Sequence, residues 1–310
     1  MLEIFKWIGE FIQSLPSPVA QGMIWGIMAI GVYITYKVLD LADLTVDGSI
    51  GTGGAVLIVL TTGGMNIYLA LLIATLCGCL AGFVTGILHT KFGIPAILAG
   101  ILTQLSLYSI NLRIMSGRAN TPISATKYDL IVSSRIDSLG ETVLVVGIFI
   151  IAIIGILYWF FGTEMGHSIR ATGCNQSMAR ANGINTDTRK IIGITISNGI
   201  VALSGGLLAQ FSGNADVNMG RGAIVTGLAA VIIGEVIFGK IFKNFALRLL
   251  SAVFGGVIYY IVISLVLKIG LNTNDLKLFS AIIVALFLGI PYWKSQFSFK
   301  QKDKNKEVKA

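Results

Sequence analysis

Hydrophobic positions in this chain come in long blocks, not in alternation. Nine apolar runs, at about 19–37, 48–62, 67–89, 94–114, 141–161, 190–212, 223–239, 247–268 and 277–292, are separated by short polar stretches. A helix that crosses a bilayer needs roughly 20 residues, and most of the runs reach that length. The pattern predicts an all-α membrane protein, a polytopic helical bundle with about nine spanning segments, within a range of eight to ten. The second, seventh and ninth runs are short and are expected to be broken or re-entrant. Ahead of the first run, Ile4, Phe5, Ile8, Phe11 and Ile12 recur at helical spacing beside Glu3, Lys6 and Glu10. That pattern predicts an interfacial amphipathic helix over residues 1–18, ended by Pro16 and Pro18. The transmembrane domain is then 19–292, and a basic tail fills 293–310.

Composition sharpens this picture. Of the 310 residues, 55% are hydrophobic and 12% are charged, where a soluble domain carries about 25%. That leaves enough polar surface for loops but not for a water-facing exterior. The net charge of +8 resides largely in the tail and in short loops. This is the placement of orientation signals and of contacts with membrane lipid, and no nucleic-acid partner is expected. Cys77 and Cys79 lie in an apolar run and Cys174 in a polar loop, so neither a disulfide framework nor a metal site follows. His89 and His167 both fall at the ends of runs, with no Ser/His or metal-ligand constellation beside them. The chain itself is not expected to be an enzyme.

With the tail inside, most of the 23 basic residues collect on the inner side. The C-terminus is therefore expected in the cytoplasm of a multi-pass cell-membrane protein. A short internal similarity bears on the architecture. The eleven residues from Gly48, Gly-Ser-Ile-Gly-Thr-Gly-Gly-Ala-Val-Leu-Ile, can be laid on those from Gly222, Gly-Ala-Ile-Val-Thr-Gly-Leu-Ala-Ala-Val-Ile. Nine crossings would give the two copies opposite directions, and inverted repeats with short, glycine-interrupted segments mark the permeation path of many transporters.

Polar residues at membrane depth are costly and are functional candidates by default. Asp43, Thr45, Asp47 and Ser49 stand at the start of the second run, where they either line a path or form a solvated turn. Gln104 and Asn111 share one face of the fourth run; together with Ser106 they either line a path or bond a neighbouring helix, and Asn198 in the sixth run reads the same way. Glu235 is expected to pair with Lys240 or Arg248. Gly78, Gly82 and Gly86 repeat every fourth residue, a packing signal. Gly234-Glu-Val-Ile-Phe-Gly-Lys240 has the opening of a phosphate loop. Ile241 stands where such a loop needs Ser or Thr, and no strand precedes it, so no nucleotide is expected here.

The polar loop 163–190 is the most informative stretch. Asn175 is expected to cap a two-turn helix over Gln176–Asn182, Gly183 to end it in the left-handed region, and Asn185 or Thr186 to cap the next span. Such a helix, with small side chains at Ser177, Ala179 and Ala181, suits docking into another protein's groove; an ordinary interfacial helix is the alternative reading.

Gly166, Ile169, Arg170 and Ala171, then Gly173 and Asn175, then Ala179 and Arg180, then Gly183, Ile184 and Asn185, resemble the coupling-helix region of permeases of the ribose and branched-chain amino-acid ABC importer superfamily. Asp43-Leu-Thr-Val-Asp-Gly-Ser49 resembles a signature in their early broken segment, with Asp47 as an extra residue. Ala229-Ala-Val-Ile-Ile-Gly234 resembles a third family stretch. The details are closest to the tryptophan/tyrosine-type branch. The resemblance implies an importer permease moving a small solute, first of all an aromatic amino acid, by alternating access. It implies Gly173, Asn175, Gln176, Ser177, Met178, Ala179, Arg180, Asn182 and Gly183 as the ATPase-coupling residues. The implied partners are a cytoplasmic ABC ATPase that binds ATP and Mg, a second permease copy in a homodimer, and an extracytoplasmic substrate-binding protein. An ion-coupled secondary transporter that works without an ATPase is the competing reading.

Overall fold

The protein is described by a computed structural model over residues 14–124, 127–134, 139–268, 278–282, 284–287 and 289. Its elements are α1 (Pro16–Tyr33, continuing through a π-helical turn, Ile34–Val38), α2 (Thr45–Thr62), α3 (Ile67–Thr90), α4 (Ala96–Ile114), β1 (Asn120–Pro122), α5 (Leu139–Phe161), α6 (Glu164–Cys174), α7 (Gln176–Ala181), α8 (Thr186–Ser212), β2 (Asn214–Asp216), α9 (Ala223–Phe238) and α10 (Phe245–Lys268). A further apolar helix, α11, covers Leu278–Phe287. The predicted interfacial helix and the basic tail lie outside the described residues, save that Pro16 and Pro18 stand in the first turn of α1. Proline costs little there, because the first N–H groups of a helix have no partner within it.

Among the described residues seven helices are long and apolar enough to cross a membrane: α1 with its π turn, α2, α3, α4, α5, α8 and α10. Each falls within four residues of a predicted run. The second run proves longer than expected. α2 starts at Thr45 and reaches 18 residues, since Asp47 in its first turn favours a helix start.

Three helices form the interior. α1, α2 and α8 are the most buried of the seven, whereas α5 is the least buried and the most apolar. Close approach between helices depends on small residues. Along α3, Gly78, Gly82 and Gly86 lie against the α8 backbone at Asn198, Ile194 and Ile191, so these helices run antiparallel. Gly22 and Gly26 of α1 lie in the same way against Val257 and Val253 of α10. At the centre, Ser197 and Ser204 of α8 donate to the carbonyls of Gly31 and Ile24 on α1, at 2.8 and 2.7 Å. These bonds satisfy two hydroxyls that have no water to turn to.

The all-α expectation has one exception. β1 and β2 pair antiparallel, Asn120 with Asp216 and Pro122 with Asn214, and Ile123 N–H to Gly213 O extends the ribbon at 2.9 Å. Three further expectations change. Glu235 pairs with Lys37 of the π turn at 2.7 Å, not with Lys240 or Arg248. The 163–190 stretch holds two helices, α6 and α7, where one short helix was predicted. Ser106 bonds back to Leu102 O at 2.9 Å and faces an apolar groove between α3 and α4, away from Asn111.

Candidate functional site

Two regions gather the sequence-predicted residues. The first begins where the chain leaves α1. Asp40 takes a left-handed backbone, φ 54°, and the chain then turns back to start α2 inside the molecule. Asp43 is buried there. Its Oδ1 accepts from Thr45 N–H at 2.9 Å and its Oδ2 from Asn198 Nδ2 at 2.7 Å. Asn198, at the midpoint of α8, accepts in turn from Ser49 Oγ at 2.6 Å. Thr45 Oγ1 meets Thr85 Oγ1 at 2.8 Å, and Thr85 donates to Thr103 at 2.8 Å. Asp43, Thr45 and Ser49 are therefore buried organisers that fix the start of α2 against α3, α4 and α8. They are buried here and do not form a solvated turn.

Asp47, Gln104 and Asn111 do converge on a space. They line a cavity of about 330 Å³ with Tyr108, Asn218 and Arg221. The loop after β2 descends along α2 to reach it, and Gly220 sits against the Asp47 backbone. Asp47 accepts from the N–H groups of Gly222 and Ile224, both at 2.9 Å, so one carboxylate of α2 caps the N-terminus of α9. Its charge suits the positive end of that helix. Asn111 is 1% exposed, and its Oδ1 is buried with no hydrogen-bond partner among the described residues. The cavity is thus lined by residues that carry a carboxylate, a guanidinium, amides and a phenol.

The second region is the 163–190 segment. Thr163 caps α6, accepting from Gly166 N–H at 3.3 Å. Gly166 lies against the Phe160–Phe161 backbone, and Gly173 lies against Val38 O, so closely that no side chain fits at either. Asn175 Oδ1 caps α7, accepting from Met178 N–H at 3.0 Å. Gly183 ends α7 with φ 76°, a conformation glycine adopts without strain, and Asn185 caps α8 through Thr188 N–H at 3.2 Å. Arg180 donates through Nε to Thr186 at 2.8 Å and pairs with Asp187 at 3.5 Å, which braces α7 on α8. Asn182 Nδ2 closes the helix on Met178 O at 2.9 Å. Gln176, Ser177 and Met178 face outward. Ala179 does not: it is 0% exposed, an inward packing residue rather than a contact surface.

The profile of a protein family described as branched-chain amino acid transport system, permease component, matches residues 17–291. The chain belongs to that family. The tyrosine transport system permease protein of Clostridioides difficile (strain R20291) is 42% identical over 277 residues, covering 89% of this chain and 91% of that protein. The ribose import permease protein of Haemophilus influenzae is 24% identical over 225 residues, 72% of this chain and 69% of that one. A solved structure, PsaBC from Streptococcus pneumoniae in complex with Fab, shares the fold with TM-score 0.52 at 16% identity, covering 90% of this chain and 95% of that one.

In this permease the motif residues of the sequence are mostly backbone specialists: close-packed Gly166 and Gly173, caps Asn175 and Asn185, and left-handed Gly183. Tyr108, Asn218 and Arg221 carried no sequence signal. They come from a helix and a loop over a hundred residues apart and meet only through the descent of the loop after β2.

Proposed function

We propose that the chain is the transmembrane permease subunit of an ABC importer that moves an aromatic amino acid inward, driven by a separate ATPase docked on α7. One observation carries this reading: α7 is a short helix capped at both ends and seated by Arg180 on the start of α8, and it turns Gln176, Ser177 and Met178 outward. A displacement pressed on α7 enters α8 through Arg180, Thr186 and Asp187, and enters α1 through α6 and Gly173. α8 carries it to Asn198 and hence to the start of α2 beside the cavity. This is a two-state element of the kind that transmits coupling free energy.

The 42% identity to a tyrosine transport permease supports the aromatic substrate. So does the cavity, because Arg221 suits a carboxylate, Asp47 an ammonium and Tyr108 a ring. In this reading α9 and α11 join the seven long helices to make nine crossings, and the bias of basic residues puts the C-terminus in the cytoplasm. Under this topology α2 and α9 run in opposite senses, as an inverted repeat requires. Gly53 and Gly227, equivalent positions of the repeat, pack against α8 and α1 respectively. ATP and Mg belong to the ATPase, a second permease copy completes the membrane unit, and a binding protein delivers substrate from outside.

The test is affinity capture of the tagged chain from mildly solubilised native membranes. The wild type is expected to bring down an ABC ATPase in roughly equal amount, and Met178→Glu to lose it while remaining inserted and monodisperse. Ala179 is avoided, since a charge there unfolds α7 itself. A wild-type chain that purifies alone under several mild conditions and still transports overturns the proposal.

A further inference from the structure

Where α5 ends, α6 begins and the loop between α9 and α10 passes, the surface opens into a hollow of about 670 Å³. His167, Arg170 and Lys243 line it, and no Asp or Glu does. Glu164 lines a neighbouring hollow, which shares Trp159, Thr163 and His167 with this one. Arg170 lies over the Phe245 ring, its guanidinium carbon 5.2 Å from the centroid, and neither Arg170 nor Lys243 has a carboxylate partner among the described residues. The charges are therefore concentrated and uncompensated, and one of them is held in place by an aromatic face.

The rim is of a different character. Trp159 is 72% exposed, and beyond it α5 presents Ile156, Ile151 and Ile148 in a continuous apolar strip. Exposed tryptophan between an apolar helix face and a cationic cluster marks the level of lipid headgroups. A soluble partner would meet the hollow only from its polar side, whereas its aromatic side continues into hydrocarbon.

We propose that this hollow binds one anionic phospholipid of the inner leaflet. Its phosphate is held by Arg170 and Lys243, with His167 beside them, and an acyl chain runs along the exposed face of α5. The assignment to the inner leaflet rests on the orientation given under Proposed function. The lipid would brace α6 against the loop between α9 and α10, next to the coupling segment.

Native mass spectrometry of the full-length chain in detergent, titrated with phosphatidylglycerol or phosphatidylcholine of identical chains, tests this. Each basic residue near an anionic lipid surface is worth a factor of about five. The wild type is expected to keep one phosphatidylglycerol in preference to phosphatidylcholine, and Arg170→Gln with Lys243→Gln to lose roughly 25-fold in that preference. Lys243→Gln alone, at an exposed loop position, should lose about fivefold and serves if the double variant folds poorly. Lys127→Gln, on the loop between β1 and α5, should change nothing. Equal retention of both lipids by the wild type overturns the proposal. So does displacement of the bound lipid by millimolar inorganic phosphate, which would make the site one for a soluble anion. Loss of the ATPase in Lys243→Gln with lipid retention unchanged overturns it too, and hands the surface to the protein partner.

Discussion

Asn198 joins two parts of a polar cluster that would otherwise be separate, donating a hydrogen bond to Asp43 and accepting one from Ser49. Leaving such a buried group unpaired costs about 1–3 kcal/mol, and more when it is charged. Asn198→Ala and Asp43→Ala should each lower the melting temperature in detergent. Because both remove the same bond, the double variant should fall short of their sum by about 0.5–3 kcal/mol. Strict additivity in that cycle would mean the cluster is not a unit. The sequence pointed to Asp43, Thr45 and Ser49 as polar residues at depth and to Asn198 as one that either lines a path or bonds a neighbouring helix, but the partners Thr85 and Thr103 were unreadable as such. Each is a single hydroxyl in an apolar helix, and only the fold brings them together. Arg221 illustrates the same limit, since nothing near it in the chain distinguishes a cavity wall from an ordinary loop cation.

At the scale of elements, α3 and α8 are held by proximity of backbone more than by interlocking side chains. Gly82 faces Ile194 O and Thr195 Cα, and a bulky residue must push the helices apart. Gly82→Leu should destabilise the protein by about 1–3 kcal/mol or more. Gly155→Ala on α5, where open space surrounds the position, should be neutral or stabilise by up to about 1 kcal/mol. Thermal unfolding of the purified pair checks both, and equal effects would refute the packing account. Helix positions were largely legible because apolar blocks of this length have one structural solution in a bilayer. α6 was missed for a physical reason. It is short and lies outside the apolar blocks, and its buried face of Gly166, Ser168, Ile169 and Thr172 has only one large apolar side chain. Thr163 followed by Glu164 was the readable start signal. The β1–β2 ribbon had no signal, since three-residue strands are below any periodicity.

For the whole molecule, orientation is open to direct measurement. Cys174 is exposed and belongs to the cytoplasmic side in the proposed topology, while Lys127 belongs to the outer side. A membrane-impermeant maleimide on intact cells should label a Lys127→Cys variant and spare Cys174, which should react only after permeabilisation. The reverse order of labelling would invert the topology and remove the coupling role of α7. The contrast between α5 and α2 reaches further still. α5 is the most apolar helix, with 17% of its apolar window buried inside the chain, and α2 the least apolar, with 78% buried. During biosynthesis the insertion machinery meets helices one at a time. α5 and α3 partition into lipid on their own account, but α2, with its glycines, threonines and Asp47, gains little from hydrocarbon. Its entry is settled by neighbours that arrive before and after it, so the helix that walls the cavity is a passenger in assembly, and mutations there should first appear as defects of biogenesis.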